Sequence, residues 1–149
     1  MIIVFGSINL DIVTRVPRLP GPGETVKGDA YKLIPGGKGA NQALAAKRAG
    51  SDTAMVGAVG DDAFADLALD FLKKDGVDLS SVARVSEPTG IASINVDDNG
   101  ENAIAVASGA NTMVVSAQFD ESSPEKGGYL LTQNEIPENE IFRVHAKAK

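Results

Sequence analysis

The chain has 149 residues, of which 43% are hydrophobic and 23% charged, a composition typical of one globular domain with a core of its own. Its formal net charge of −6 argues against a nucleic-acid partner, because binding phosphates requires a basic face. It contains no cysteine and a single histidine, His145, which excludes a disulfide framework and a thiolate site, disfavours zinc chemistry, and leads us to expect no metal ligands in the chain.

The N-terminal residues predict strands. Residues 1–5, MIIVF, are an unbroken apolar run, which is typical of a strand buried on both faces in a parallel sheet. From Ser7 onward the pattern alternates and places Asn9 and Asp11 on the same face. Polar residues interrupt the run and no basic residues precede it, so a strand is predicted rather than a signal peptide. No run reaches membrane-spanning length, and we expect a cytoplasmic protein without a membrane partner.

The next segment predicts a loop, a strand, a helix and a further strand. Residues 17–25 form a loop punctuated by proline and glycine, and a short strand is expected at 30–34. An alanine-rich helix is predicted at 38–49, where Gly50 ends it. The apolar residues 53–60 then predict a short strand.

The clearest helix in the sequence follows that strand. Asp61 or Asp62 is placed to cap its N-terminus, and Gly76 is placed to end it. Apolar residues recur in it at three- and four-residue spacing, which predicts a buried face. The residues expected on that face are Phe64, Leu67, Ala68, Phe71 and Leu72.

The C-terminal part predicts a hairpin and a final strand and helix. Residues 90–108 are predicted to form two alternating strands joined through Asn99 and Gly100, and residues 121–128 a loop. An apolar strand, GGYLLTQNE, precedes a helix that starts at Pro137. That helix is expected to place Ile141, Val144, His145 and Ala148 on one face. Because such a helix normally leads into a parallel neighbour strand, we expect the sequence to be an incomplete portion of its fold.

The stretch PGGKGANQA, residues 35–43, is similar to a phosphate-binding loop but fails both nucleotide patterns. Lys38 is followed by Gly39 instead of Ser or Thr, and Gln42 stands where a dinucleotide loop needs glycine. Gly36 and Gly37 would still let a ligand approach the backbone at the start of a helix, and Asn41 lies in its first turn. The alternative is a glycine-rich turn that binds nothing.

Polar side chains in apolar strands are further candidates for a binding site. Asn9 and Asp11 lie among apolar residues, where an unpaired polar group costs roughly 1–3 kcal/mol. An amide and a carboxylate so placed would suit the vicinal hydroxyls of a ligand, whereas a strand edge facing water is the alternative. Glu135 follows an apolar strand, where open α/β sheets bind ligands; the alternative is a carboxylate at a helix start.

Together these pieces resemble the ribokinase-like (PfkB) carbohydrate kinases. The resemblance covers nearly the whole chain but only about the first half of such an enzyme, and its motifs occur in the family's order. They are GSINLDIV (6–13), PGPGET (20–25), GGKGANQA (36–43), GDDAF (60–64), TGIASINVDDNGENAIAVASGAN (89–111) and LLTQNEIP (130–137).

The resemblance implies a three-layer α/β/α fold with a small β-sheet lid. Residues 1–149 would form its N-terminal part, and the lid would come from about 10–36 and 90–107. Lids of two subunits clasp each other in this family, so a homodimer is implied. The sugar-binding residues carried over from the family are Asn9, Asp11, Gly37, Lys38, Gly39, Asn41 and Glu135, and the hinge residues are Gly36 and Gly37.

The implied activity is transfer of the ATP γ-phosphate to the 5-hydroxyl of D-ribose, with Mg²⁺ and a monovalent cation such as K⁺. The family's ATP site and catalytic aspartate belong to its C-terminal half, and the G-A-G-D motif that marks them is absent here. No catalytic residue is therefore assigned, and the chain by itself is expected to be inactive. The alternatives are a kinase for another pentose or a nucleoside, or a non-catalytic sugar-binding or dimerisation fragment.

Overall fold

The computed structural model describes residues 1–119 and 128–149, and these residues contain eight strands and three α-helices. Two short 3₁₀ helices, Gly109–Met113 and Ser116–Gln118, lie between the last two strands. The strands are β1 (Ile2–Phe5), β2 (Asn9–Arg15), β3 (Tyr31–Gly36), β4 (Thr53–Gly60), β5 (Asp78–Val85), β6 (Gly90–Val96), β7 (Asn102–Ala107) and β8 (Tyr129–Thr132). The helices are α1 (Lys38–Arg48), α2 (Ala63–Asp75) and α3 (Glu138–Lys147).

The first sheet is parallel and has the order β5–β4–β1–β8. Because successive side chains of a strand point to opposite faces, β1 contributes to two separate cores. Val4 packs with the residues of α1 and α2, whereas Ile3 and Phe5 pack with Ile141 and Val144 of α3. Helices therefore cover both faces of the sheet, and the predicted three-layer α/β/α fold is confirmed.

The second sheet has the order β3–β2–β6–β7. β2 pairs antiparallel with β3 and parallel with β6, and β6 pairs antiparallel with β7. β1 and β2 are separated only by residues 6–8, so one stretch of chain runs from the first sheet into the second. The hairpin predicted at 90–108 is confirmed as β6 and β7.

Helix α2 begins and ends where its sequence predicts. Asp62 is the N-cap and accepts hydrogen bonds from the backbone N–H groups of Phe64 and Ala65, at 3.0 and 3.1 Å. Gly76 ends the helix in the left-handed conformation, with φ of 75°. The N-cap is therefore Asp62 and not Asp61.

The buried face of α2 differs from the predicted one. Ala68 and Leu72 are buried as expected, but Ala65 and Leu69 complete the face. The remaining predicted residues are 37–44% exposed, namely Phe64, Leu67 and Phe71. Both sets recur at helical spacing, so periodicity alone does not distinguish the face that packs on the sheet from its neighbour.

The remaining expectations had mixed outcomes. The final helix buries Ile141 and Val144, whereas His145 and Ala148 are exposed. The His145 Nε2 hydrogen-bonds with Thr132 Oγ1 at 3.0 Å. β5 was not predicted. The loop expected at 121–128 lies outside the described residues except for its last position. In the described part of the chain, no helix is long and apolar enough to cross a membrane.

Candidate functional site

The candidate site lies where the two sheets and the first helix meet. The chain passes from β1 to β2 through Gly6, Ser7 and Ile8, and from β3 into α1 through Gly37. The N-terminus of α1 approaches this junction closely, because the backbone N–H of Ala40 donates to Ser7 O at 2.9 Å. A helix N-terminus presents backbone donors to the space in front of it.

Glu135 closes the junction from the end of β8. Its Oε2 accepts hydrogen bonds from Ser7 Oγ at 2.6 Å and from the backbone N–H of Lys38 at 3.2 Å. Its Oε1 forms an ion pair with Lys38 Nζ at 2.8 Å. The carboxylate therefore joins β8, the β1–β2 junction and the first turn of α1.

These contacts keep Glu135 ionised. Its partial burial acts to raise its pKa, but the hydrogen bonds from the Lys38 side chain, Ser7 and the Lys38 backbone outweigh burial, so the pKa of Glu135 is lowered. The Lys38 side chain is 69% exposed, and exposed ion pairs are weak, so the hydrogen bonds are the steadier restraint. Glu135 is thus a fixed, charged hydrogen-bond acceptor.

Asp11 lies on β2, on the same face as Asn9, as the alternation predicts. It is half-buried, and burial together with the negative charge of Glu135 raises its pKa. A Cβ atom at Gly36, on the neighbouring strand β3, would lie 2.4 Å from Asp11 Oδ2. Gly36 therefore leaves the space that the Asp11 carboxylate occupies.

Asn9 is 5% exposed and is held by a residue far away in the sequence. Its Oδ1 accepts a hydrogen bond from Asn111 Nδ2 at 2.7 Å, and Asn111 also binds the backbone of Ile8. Gly90 of β6 pairs with Asn9, and a Cβ atom there would lie 2.5 Å from Asn9 Oδ1. Asn9 is therefore a paired interior residue and not part of a water-facing strand edge.

The glycines of the loop fit tightly against the β1–β2 junction. Gly37 has φ of 91°, and a Cβ atom there would lie 2.8 Å from the backbone nitrogen of Asn9. A Cβ atom at Gly39 would lie 2.6 Å from the backbone nitrogen of Ser7. The loop therefore depends on glycine for close approach to β2, whether or not a ligand is bound.

The polar residues of the loop and of the first turn of α1 differ in their exposure and in their partners. Lys38 is exposed but reaches Glu135, whereas Asn41 lies in the first turn of α1 with an exposed side chain. Gln42, one residue further, accepts a hydrogen bond from Gln133 Nε2 at 2.7 Å and ties the end of β8 to α1. The site brings Asn9, Asp11 and Glu135 together around the N-terminus of α1.

Two residues of the site were missed by sequence reasoning. Ser7 is 1% exposed, donates to Glu135, and accepts from the backbone N–H of Gly39 at 3.2 Å. Asn111 is 2% exposed and holds Asn9. In the alternating sequence pattern Ser7 falls on the same side as Asn9 and Asp11, and that alternation is the signal that could have identified it, although Ser7 itself lies in the connection between β1 and β2.

The described residues contain no metal-binding cluster, and the glycine loop does not match a nucleotide-binding pattern. Among residues 1–119 and 128–149, no group of three or more histidine, aspartate or glutamate side chains is arranged to hold a metal ion. The glycine loop lacks the hydroxyl residue of a phosphate loop, and its donors face Ser7 and Glu135.

Comparison with known proteins agrees with this architecture. The sequence is 41% identical over 137 residues to a ribokinase of Lactococcus lactis subsp. lactis, covering 90% of this chain and 45% of the relative. It is 42% identical over 145 residues to a ribokinase of Schizosaccharomyces pombe, covering 91% of this chain and 46% of that one. The chain thus spans about half the length of the curated relatives it matches.

A solved structure has the same fold over nearly the whole chain. The structure of Arabidopsis thaliana ribokinase complexed with ribose and ATP matches with a TM-score of 0.82 and 34% identity, over 99% of this chain and 49% of that protein. The sequence also matches the pfkB family carbohydrate kinases over residues 1–138. The chain belongs to the pfkB family of carbohydrate kinases.

Proposed function

We propose that this chain supplies the sugar-binding half and the lid of a kinase that transfers the γ-phosphate of ATP to the 5-hydroxyl of D-ribose. The observation that carries the proposal is the convergence of Asn9, Asp11 and Glu135 on the N-terminus of α1. Carboxylates accept hydrogen bonds from hydroxyl groups, and an amide binds a hydroxyl beside them. This set of groups suits a neutral polyol.

Each site residue has a distinct role in this proposal. Asp11 and Asn9 hold the ribose hydroxyls, and Glu135 braces the sugar from the side of β8. The loop Gly37–Asn41 closes over the sugar. Its members in the proposed site are Gly37, Lys38, Gly39 and Asn41.

The second sheet is the proposed lid, from about residues 10–36 and 90–107. Asn9 and Asp11 lie at the end of this sheet that adjoins the first sheet, so a movement of the lid would open or close the sugar site. Gly36 and Gly37 are the proposed hinge, because the chain passes from the second sheet to α1 at this pair.

The proposed partner is a second copy of the chain, placed against the lid. Cross-strand pairing puts Ile34 and Val106 in the same row as Asp11, with Ile104 in the next row of that face. These three side chains are 38%, 58% and 55% exposed. An apolar surface that continues from the binding residues supports a homodimer whose lids cover each other.

The other half of the reaction is proposed to lie in residues that this chain does not contain. ATP, Mg²⁺ and a monovalent cation such as K⁺ would be bound there, as would the catalytic aspartate that accepts the proton of the 5-hydroxyl. The residues described here would position the sugar, which is a large part of catalysis in phosphoryl transfer. The cytoplasm, where ATP is supplied, is the proposed location.

Calorimetric titration and turnover assays test the proposal. D-Ribose, 2-deoxy-D-ribose and a nucleoside are titrated into the full-length protein, and ATP-dependent phosphorylation of each is followed by ³¹P NMR. We expect D-ribose to bind and react best. For residues 1–149 alone we expect no turnover and only a rise in melting temperature with D-ribose. Preference for the nucleoside, or no binding of any sugar, would overturn the proposal.

A further inference from the structure

The orientation of the Asn111 side-chain amide is determined by backbone groups. Asn111 lies in the 3₁₀ helix that follows β7, and its Oδ1 accepts from the backbone N–H of Ile8 at 2.8 Å. Its Nδ2 donates to the carbonyl oxygen of Ile8 at 3.2 Å. A backbone N–H only donates and a carbonyl oxygen only accepts, so reversing this amide would break both hydrogen bonds.

That orientation determines the orientation of Asn9 in turn. The second hydrogen of Asn111 Nδ2 is donated to Asn9 Oδ1 at 2.7 Å. Reversing Asn9 would place two amide NH₂ groups against each other. The Asn9 carbonyl oxygen is therefore directed to Asn111, and its NH₂ group is directed away from Asn111.

The Asn9 NH₂ group remains available to a ligand. No described residue accepts a hydrogen bond from the Asn9 NH₂ group. Its nitrogen is also not one of the completely buried, unpaired polar atoms of the described residues, so a ligand can reach it. Gly90 encloses the other side of the pair, because a Cβ atom there would lie 2.3 Å from Asn111 Nδ2 and 2.5 Å from Asn9 Oδ1. Because of this packing, the Asn9 side chain can bind a ligand only as a hydrogen-bond donor.

We propose that Asn111 is a positioning residue that makes Asn9 a donor toward the ligand, so that Asn9 and Asp11 together select a neutral hydroxyl. A single sugar hydroxyl can accept a hydrogen bond from Asn9 and donate one to Asp11, or two adjacent hydroxyls can share these two hydrogen bonds. A ligand carboxylate or phosphate has no proton to donate to Asp11 and is repelled by it. This inference deepens the proposed function and rests on it.

The substitution Asn111→Asp tests the chain of contacts. The aspartate keeps an acceptor for Ile8 N–H but loses the donor to Asn9, so the Asn9 amide turns and presents its oxygen to the sugar. We expect the KM for D-ribose in the full-length protein to rise about tenfold or more, because a ligand hydrogen bond is lost, with a much smaller change in kcat. Asn9→Asp replaces the same donor with an acceptor and should give a similar rise.

A double-mutant cycle separates positioning from general destabilisation. In an Asn9→Ala background, Asn111→Asp should raise the KM no further than about twofold, since Asn111 acts on the sugar only through Asn9. Thr112→Ala is the matched control, because Thr112 lies in the same 3₁₀ helix with its hydroxyl bound to Gly109 O. It should leave the KM unchanged. An equal KM increase from Asn111→Asp in both backgrounds would overturn the positioning role.

Side-chain amide exchange measured by NMR provides a test without any variant or sugar. The two Nδ2 protons of Asn111 should exchange slowly and those of Asn9 quickly, and the reverse pattern would overturn the assigned orientation. If the unmutated protein shows this exchange pattern but binds no neutral sugar, the proposed function is wrong, whereas the assigned orientation of the two amides still holds.

Discussion

At the scale of single residues, the Asp11 carboxylate occupies an unfavourable electrostatic position. Burial and the charge of Glu135 raise its pKa above the ordinary value, so the folded state holds the ionised form less readily than the unfolded chain does. At neutral pH this lowers the free energy of unfolding. The penalty is full above the folded pKa, decreases as the pH falls from the folded to the unfolded pKa, and is absent below both.

The substitution Asp11→Asn should therefore stabilise the protein and remove its sugar binding. We expect a higher melting temperature at pH 7 than in the unmutated protein. The difference should shrink as the pH falls through the folded pKa of Asp11 and vanish below the ordinary value of 3.8, where the aspartate is protonated in both states. Asp11→Ala should abolish detectable sugar affinity. Scanning calorimetry at several pH values and calorimetric titration with D-ribose measure both effects.

The control for this prediction is Asp98→Asn, which removes the same charge from the exposed turn between β6 and β7. This substitution should change neither the affinity for D-ribose nor the pH dependence of that affinity. Near-normal ribose binding by Asp11→Ala would contradict the assignment of the site.

The site residues that could be predicted are those that break a local pattern. Asn9 and Asp11 are conspicuous because they are polar residues in an apolar strand, and Glu135 because it follows one. Asn111 has no such signal, because an asparagine shortly after a glycine, here Gly109, is typical of a turn. Its partners are 103 and 102 positions away, a separation that local patterns do not report.

At the scale of elements, local sequence patterns again do not report distant contacts. This explains why β5 was not predicted and why the buried face of α2 differs from the predicted one. The sequence of β5, DLSSVARV, contains serines and charged residues, and it becomes a strand by pairing with the buried strand β4. In α2 two apolar faces are present, and only packing decides that Leu69 is buried while Phe64 borders a groove with Leu33 and Tyr31. The well-predicted elements have caps, turns or unbroken apolar runs.

The connection between β3 and α1 supports a prediction with a closely matched control. Gly37 and Gly50 have φ of 91° and 94°, so alanine at either position meets a conformational penalty of roughly 1–3 kcal/mol. Only Gly37 also has neighbours that a Cβ atom would strike, namely the backbone of Asn9 and Ser7. Gly37→Ala should therefore lower the free energy of unfolding more than Gly50→Ala, by about 1–3 kcal/mol.

Urea unfolding of the two variants measures this difference. Gly37→Ala should also weaken D-ribose binding, because the loop would move away from β2, whereas Gly50→Ala should not. Equal destabilisation of the two variants would show that the contact of Gly37 with β2 contributes nothing.

At the scale of the whole molecule, the second sheet is the least covered part of the described structure. β7 is exposed along its whole length, and Ile104 and Val106 lie on the face that carries Asp11. An apolar surface of this kind is typical of an interface. The proposed homodimer would bury it and would place a second chain beside the sugar site.

The double substitution Ile104→Lys and Val106→Lys should convert the dimer into a monomer. The two charges would have to be buried in the interface without partners, which weakens association strongly. Analytical ultracentrifugation measures the mass. Phe142→Lys on α3 is the control, because Phe142 is 67% exposed and lies on the first sheet's side of the molecule. A dimer that survives the double substitution would exclude this face as the interface.

The hydrogen bond between Ser7 and Glu135 has a further consequence for biosynthesis. The two residues are separated by 128 positions, so synthesis must have proceeded at least as far as Glu135 before this contact can form. The ribosome releases Ser7 early, and until Glu135 emerges its hydroxyl and the first turn of α1 lack their shared acceptor. Since domains fold largely as they are synthesised, sugar should stabilise only nascent chains that extend beyond Glu135. Ligand protection of arrested chains of increasing length would therefore show when this part of the protein is assembled.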